Sequence, residues 1–298
     1  MALEQDGWVS VDGVLTPAAQ ARVSVFDRGF LYGDSAFEVM RTYGRRPFRE
    51  RDHLERLRGS CERLLLPIAS TPAEWSAEVR RTIDASGLPE CNVRVMITRG
   101  VGPLGLDLSE ARQPSLLCFA LPLHPYPEAI YEQGVAVGLS HAARATDGTR
   151  AVGAKTSNYL GSVLALHEVK SRGCHEAIIV GPLGEIVEGA TSNVFCVKGA
   201  ELITPPIEAG ILAGITRKTV LELAAELGIR VHEVQVHPHD LYHADEVFIT
   251  STIREIVPVV KVDDVVVASG KPGPATRRLL AAYRDKARAL ADSQSPQL

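Results

Sequence analysis

Two charged residues give the first chemical clue. Lys155 sits in the small-residue run Ala154-Lys155-Thr156-Ser157-Asn158-Tyr159-Leu160, at the start of a helix-forming segment, and Glu188 opens Glu188-Gly189-Ala190-Thr191-Ser192-Asn193 about thirty residues on. A lysine amine can form a Schiff base with an aldehyde, and a fixed carboxylate keeps a pyridine nitrogen protonated so that the ring accepts electrons. These are the needs of pyridoxal phosphate chemistry, with Lys155 as the amine and Glu188 as the anion.

Three further features suit a phosphate. Gly210-Ile211-Leu212-Ala213-Gly214-Ile215-Thr216-Arg217 sets a glycine-bearing turn directly before a helix, so the Ile215 and Thr216 N–H groups and the threonine hydroxyl can face an anion where the helix dipole favours it. Thr250-Ser251-Thr252 ends a strand with three consecutive hydroxyls. Arg56, in His53-Leu54-Glu55-Arg56-Leu57, adds a guanidinium, which with neutral donors serves a doubly charged group well. Arg56 lies among many charged residues, and the plainer reading of that helix is a solvated face.

The elements that must position these groups read as a two-part chain. Trp8–Val11 and Val14–Leu15 flank Asp12-Gly13, a hairpin signal. A strand follows over Ala36–Tyr43, then a helix from about Glu50 to Leu66 and another over Pro72–Ser86 with Thr71 as N-cap. Asn92–Thr98 and Ser115–Leu121 read as neighbouring strands. The first strand alternates, with Val93, Val95 and Ile97 on one face and Asn92, Arg94, Met96 and Thr98 on the other.

The stretch LPLHPYP over residues 121–127 carries three prolines and marks a stiff linker. Beyond it the pattern restarts with a strand at Gly134–Leu139 and a helix from about Asn158 to Ser171, in which Leu160, Val163 and Leu164 stand at helical spacing. Strands then dominate (176–180, 193–197, 202–204, 230–236, 246–250), with helices at 216–227 and near 274–287. The expected fold is α+β: a small N-terminal α/β domain over 1–120, a linker over 121–132 and a larger sheet-rich domain over 133–298. The polar run from Asp292 reads as a disordered tail.

The 298 residues carry 45% hydrophobic and 23% charged residues, a net charge of −4 and mean hydropathy +0.03. That balance asks for neither a nucleic-acid nor a membrane partner. The acidic start and the lack of a long apolar run point to a soluble cytoplasmic protein. Five scattered cysteines without a Cys-x-x-Cys read as reduced thiols.

Six segments, in order and across most of the chain, carry a resemblance: Phe26-Asp-Arg-Gly-Phe-Leu-Tyr-Gly-Asp-Ser-Ala-Phe-Glu38, His53-Leu-Glu-Arg-Leu57, Lys155-Thr-Ser-Asn-Tyr159, Glu188-Gly-Ala-Thr-Ser-Asn193, Gly214-Ile-Thr-Arg217 and Phe248-Ile-Thr-Ser-Thr-Ile-Arg-Glu-Ile-Val-Pro258. With them the chain resembles the fold-type IV pyridoxal-phosphate enzymes. These are the class IV aminotransferases, which include branched-chain aminotransferases, D-amino-acid aminotransferases and aminodeoxychorismate lyase. The resemblance implies that Lys155 holds the cofactor and shuttles the proton, that Glu188 pairs with the pyridine nitrogen, and that Tyr159 bonds the ring hydroxyl oxygen. It implies that Arg56, Ile215, Thr216 and Thr252 hold the phosphate, and it brings Ser251 and Asn193 into the cofactor set. It also implies a homodimer and a substrate-facing Tyr32, with Phe37 in the same motif.

The amino donor is less sharply written. The branched-chain group carries Tyr-x-Arg where this chain has Asn92 and Arg94. The D-amino-acid group carries an Arg-x-His trap, and the lyase an arginine, where this chain has Leu104 and Leu106, an apolar pair suited to an aliphatic side chain. Beside Ile253, Arg254 replaces the small residue of the branched-chain group and reads equally as a carboxylate contact or an exposed rim charge. The expectation is a transaminase moving the amino group of a hydrophobic L-amino acid to a 2-oxo acid such as 2-oxoglutarate. The alternatives are D-amino-acid or (R)-amine transamination, and the lyase reaction.

Two motifs are decoys. Gly100-Val-Gly-Pro-Leu-Gly105 fits G-x-G-x-x-G, but Pro103 and Pro114 leave no room for the helix a dinucleotide needs. His237, His239 and His243 resemble a metal cluster, but Pro238 keeps His237 off the shared face, so no metal is expected.

Overall fold

The computed structural model describes residues 6–68, 70–111, 113–142 and 148–292. The chain divides into two compact units, one gathering Met1–His124, Thr149–Asn158 and Ala287–Leu298 so far as these are described, the other Pro125–Gly148 and Tyr159–Lys286. The first division falls within the proline-rich stretch. The Lys155 segment, expected within a contiguous 133–298 domain, instead belongs to the first unit. The polar tail from Ser293 lies outside the described residues.

The first unit is built on β1 (Trp8–Val11), β2 (Val14–Pro17), α1 (Arg28–Tyr32), β3 (Ser35–Tyr43), β4 (Arg46–Pro47), α2 (Glu50–Arg63), α3 (Pro72–Ser86), β5 (Cys91–Thr98) and β6 (Ser115–Pro122). Its six strands form an antiparallel sheet in the order β2-β1-β6-β5-β3-β4. Asp12 and Gly13 both take positive φ, 49° and 85°, as the two-residue turn between β1 and β2 demands. At α3 a capping box forms, with Glu74 N–H donating to the Thr71 hydroxyl and Thr71 N–H donating to the Glu74 carboxylate.

Alternation on β5 sends Val93, Val95 and Ile97 into the core, where Ala36 and Met40 of β3, Leu54 and Leu57 of α2, and Trp75 and Val79 of α3 cover them. The opposite faces of β3 and β5 carry Phe37 and Arg94. Gly100-Val-Gly-Pro-Leu-Gly105 leads from β5 toward antiparallel β6, and among the described residues between them the helical element is a 3-10 turn at Leu108–Glu110, too short for a dinucleotide-binding helix.

The second unit adds α4 (Ala129–Gln133), β7 (Val135–Ser140), α5 (Leu160–Ser171), β8 (Glu176–Val180), β9 (Ile186–Gly189), β10 (Asn193–Lys198), β11 (Glu201–Thr204), α6 (Ile215–Glu226), β12 (Arg230–Glu233), α7 (Pro238–Tyr242), β13 (Glu246–Ser251), β14 (Glu255–Val262), β15 (Val265–Val266) and α8 (Pro274–Asp292). These strands form a mixed nine-stranded sheet in the order β12-β11-β10-β13-β14-β7-β8-β9, with β15 on β14. β11 with β12, β14 with β7, and β7 with β8 are the parallel pairs.

Phe195 and Phe248 stack across β10 and β13 at 4.9 Å. Glu246 caps α8, accepting from Ala275 and Thr276 N–H at 2.9 and 2.8 Å. On α5 the buried positions are Ala165 and Val169, so Leu160, Val163 and Leu164, 71, 57 and 58% exposed, turn away from this unit's core.

Candidate active site

Within the first unit, Lys155 lies against the buried N-terminal end of β3. Phe37 N–H donates to Lys155 O at 3.0 Å, Ala36 bridges Thr156, and the Ser35 hydroxyl donates to that of Ser157 at 2.7 Å. From α2, Ser60 Oγ accepts from Lys155 N–H at 3.1 Å. The Lys155 backbone is thus fixed by a strand edge and a helix before its side chain is considered.

That side chain places Nζ 4.7 Å from the centroid of the Phe37 ring, and the Arg94 guanidinium carbon lies 3.8 Å from the same centroid. The two cations share one aromatic surface because Phe37 and Arg94 occupy neighbouring positions on paired strands, where Phe37 faces Met96 and Val39 faces Arg94.

Arg56 is positioned from beneath. Its Nε and Nη2 donate to the two oxygens of Glu38 at 2.7 and 2.8 Å, and His53 Nδ1 lies 2.7 Å from Glu38 Oε2. Glu38 is wholly buried and the Arg56 side chain is 13% exposed, so the solvated-face reading of Arg56 does not hold. Burial pushes the Glu38 carboxyl up, but Arg56 and His53 overcome it and hold it at about 2. Burial also pulls His53 down; Glu38 opposes that, and the charges of Arg56 and Lys155 reinforce it.

Tyr32 closes α1, whose start is capped by Asp27 accepting from Gly29 N–H at 2.7 Å. Gly33 ends the helix at φ 67°, the left-handed conformation that favours glycine. Tyr32 Oη accepts from Gly105 N–H at 3.1 Å while Arg28 Nη1 donates to Gly105 O at 2.8 Å, tying the tyrosine to the Leu104–Leu106 loop. Leu104 and Leu106 are 71 and 78% exposed, so within this chain they form no closed pocket.

In the second unit, Glu188 lies near the end of β9 and Oε2 accepts from Leu212 N–H at 3.0 Å and Asn193 Nδ2 at 3.4 Å. Asn193 also donates to Leu212 O at 3.0 Å, so its amide aligns the carboxylate with the loop before α6. Gly189 and Ser192 exchange backbone hydrogen bonds, and a Cβ on Gly189 would collide with Ser192 Oγ, which explains the glycine after Glu188. A Cβ on Gly214 would likewise collide with Asn193 Oδ1. As N-cap of α6, Gly214 supplies no side-chain cap, so the first donors of the helix, beginning with Ile215 and Thr216, keep the character of an anion site.

Tyr159 is the N-cap residue of α5 and is half-buried. Ser251 ends β13, and Thr252 and Ile253 occupy the turn between β13 and β14. Arg254 departs from one of its two readings. It is 7% exposed and its Nη2 donates to Glu176 Oε2 at 2.6 Å, so it is a buried paired cation and not a rim charge.

The structure therefore groups Lys155, Phe37, Arg56, Arg94, Tyr32, Leu104 and Leu106 in one unit, and Glu188, Tyr159, Asn193, Ile215, Thr216, Ser251, Thr252, Ile253 and Arg254 in the other. Four residues escaped sequence reasoning: Glu38, His53, Ser60 and Glu176. The first three had a signal, since Glu38 is an isolated acid in an apolar strand, and His53, Arg56 and Ser60 recur at the spacing of one helix face. Each unit carries groups that suit a phosphorylated pyridine aldehyde: in the first an amine held over an aromatic ring, in the second a carboxylate oriented by two donors and a helix start without a side-chain cap.

Comparison with known proteins agrees. Residues 35–262 match the family model of the class IV aminotransferases. A Methanocaldococcus jannaschii protein, provisionally named a branched-chain-amino-acid aminotransferase, is 38% identical over 277 residues, covering 93% of this chain and 95% of that one. At lower identity, 30% over 279 residues, a D-alanine aminotransferase of Bacillus licheniformis covers 93% and 96%.

The crystal structure of the Escherichia coli branched-chain amino acid aminotransferase superposes with a TM-score of 0.90 at 33% identity and 97% coverage of each chain. That of the Thermobaculum terrenum branched-chain enzyme, in its pyridoxal-phosphate form, gives 0.85 at 27% identity, over 96% of this chain and 95% of that one. A match of this extent makes the conclusion plain: this chain belongs to the class IV aminotransferase family and is a pyridoxal-phosphate-dependent transaminase.

Proposed function

We propose that the enzyme exchanges the amino group of a hydrophobic, branched-chain-like L-amino acid with a 2-oxo acid such as 2-oxoglutarate. The observation that carries this reading is the Phe37 ring flanked by Lys155 Nζ at 4.7 Å and Arg94 at 3.8 Å. An α-amino acid needs a reactive amine and a carboxylate-binding cation a few ångströms apart, and an apolar surface between them favours an aliphatic side chain. The names of the similar proteins support the same class, and Leu104 and Leu106 stand where the D-amino-acid and lyase patterns carry cations.

Pyridoxal phosphate supplies the aldehyde that captures the amine and the ring that accepts electrons. Lys155 Nζ would hold the cofactor at rest and serve as the proton carrier. Glu188, steadied by Asn193 and Leu212 N–H, would pair with the ring nitrogen. Tyr159 would bond the ring hydroxyl oxygen. Arg56, Ile215, Thr216 and Thr252 hold the phosphate, with Ser251 beside them, and Arg94 reads the substrate carboxylate. Tyr32, Ile253, Leu104 and Leu106 shape the side-chain site.

The working unit in this reading is a homodimer. Exposed Val25, Phe26 and Phe30 in the first unit, and Leu160, Val163 and Leu164 in the second, are apolar surface that a second copy would cover. Five buried, unpaired cysteines support a cytoplasmic setting, and no helix among the described residues is long and apolar enough to cross a membrane.

An amino-donor panel of L-leucine, D-alanine, D-glutamate, (R)-1-phenylethylamine and aminodeoxychorismate tests the proposal. Turnover with L-leucine and 2-oxoglutarate, with ping-pong kinetics, is expected. Activity confined to the D-amino acids or the (R)-amine would overturn the donor assignment, and pyruvate release from aminodeoxychorismate would overturn the reaction type.

A further inference from the structure

We propose that Arg254 is a positioning residue: its buried pair with Glu176 fixes the Thr252–Ile253 turn, and the guanidinium itself does not meet substrate. The inference rests on the reading of Thr252 as a phosphate contact, and it separates the two arginines, Arg94 and Arg254, that the sequence offers for the carboxylate.

The turn is short and conformationally demanding. Ser251 pairs with Glu255 across β13 and β14, which leaves Thr252, Ile253 and Arg254 as a three-residue loop. Glu255, the residue that closes it, adopts φ 60°. Loops of this length use a left-handed residue at or near that position, usually glycine, and a glutamate there persists only when its surroundings over-determine it.

Those surroundings are present on both sides of the loop. The Glu255 carboxylate accepts from Arg284 Nε at 2.8 Å, and Tyr131 Oη donates to Arg254 O at 3.1 Å. The Arg254 side chain folds back over its own loop, with Nε donating to Ser251 Oγ at 3.0 Å. Its Nη2 donates to Glu176 Oε2 and to Thr191 Oγ1, each at 2.6 Å.

Glu176 is fully buried, and its Oε2 also accepts from the Thr191 and Ser192 hydroxyls at 2.5 and 3.3 Å. Thr191 and Ser192 lie in the turn that follows Glu188. One carboxylate therefore ties the loop bearing Thr252 to the loop that presents Glu188, and Arg254 is the link between them. A substrate carboxylate would have to compete for this guanidinium with an anion already held in the interior, where stripping a partner from a buried charge is strongly unfavourable.

The test compares Arg254→Met, Arg254→Lys, Glu176→Gln and the double variant Glu176→Gln/Arg254→Met as holoenzymes. The readouts are the rate of pyridoxal phosphate release on dilution, from its absorbance, and the kcat and KM for L-leucine and 2-oxoglutarate. Glu246→Gln, which removes a buried carboxylate at the far end of β13, serves as the control for general loosening of the unit.

Expected are release faster by about tenfold or more in Arg254→Met and Glu176→Gln alike, and partial rescue in Arg254→Lys. The double variant, which leaves no unpaired charge, should release the cofactor more slowly than either single variant.

Unchanged release in both single variants overturns the proposal, as does equally fast release in Glu246→Gln. So does a raised KM for 2-oxoglutarate confined to Arg254→Met with cofactor release intact, which is the signature of a direct carboxylate contact. Wild-type enzyme that binds no pyridoxal phosphate would overturn the cofactor reading itself, a result distinct from any of these.

Discussion

The two units pair buried charge differently: in the first, one carboxylate is shared by two cations, as Asp34 is by Arg28 and Arg99. In the first, Glu38 serves Arg56 and His53 together, and the Phe37 ring carries both Lys155 and Arg94. In the second, the buried or half-buried arginines each have a carboxylate: Arg254 with Glu176, Arg217 with Glu233 and Arg284 with Glu255. Besides these pairs the second unit carries Glu188, held by Leu212 N–H, and a helix start without a side-chain cap. On the proposed reading the first unit would supply cations and the second an anion and backbone donors. Formal charge in a sequence is thus a poor guide to chemical availability, since Arg94 and Arg254 read alike until their neighbours are known.

Variants can break this contrast from either side. The largest effect is expected for Lys155→Ala, which should abolish turnover in a coupled glutamate assay, because it removes the amine that forms the Schiff base. Glu188→Gln should come next, with kcat lower by about a hundredfold or more while the fold is retained, since the amide oxygen still accepts from Leu212 N–H. Equal kcat in this variant would remove the anion from the second unit's contribution.

Glu38→Gln probes the first unit's buried carboxylate and should lower unfolding stability by about 3 kcal/mol at neutral pH by leaving Arg56 short of its anion. The effect carries a pH signature. With the folded Glu38 carboxyl held at about 2 against an ordinary 4.5, its contribution is fully present above pH 4.5 and is lost as pH falls toward 2. Burial pulls the His53 imidazole down from its ordinary range, so acid works against the folded state there as well. Urea unfolding at stepped pH should show the wild type losing its advantage over Glu38→Gln across that interval.

Arg94→Ala should raise KM for both acids by about tenfold to a hundredfold with kcat little changed, as befits loss of one charge-assisted contact. If KM instead follows Arg254 and not Arg94, the contrast between the two arginines is reversed. The smallest effect is expected for Thr71→Ala, which opens the capping box of α3 and should cost about 1 kcal/mol in thermal unfolding without altering activity.

Local chemistry made much of this legible in the sequence. The Asp12-Gly13 hairpin, the Thr71 cap, the alternation of Val93, Val95 and Ile97, and the helix after Gly214 depend on residues close in the chain, and each forms as expected. What was hidden depends on distance.

Arg254 meets Glu176 across 78 residues, and Lys155 N–H meets Ser60 across 95, and no periodicity encodes such pairs. β14 was obscured by Pro258, which the sheet tolerates just before pairing with β7 begins at Val259. The apolar spacing on α5 indicated a helix correctly but not the direction of its face, because Leu160, Val163 and Leu164 pack on nothing within their own unit's core.

Reduction of the purified holoenzyme with borohydride, followed by proteolysis and mass spectrometry, puts the assignment of Lys155 to the test. One stable cofactor adduct is predicted, on the peptide containing Lys155. No adduct, or an adduct on any other lysine, would contradict that assignment.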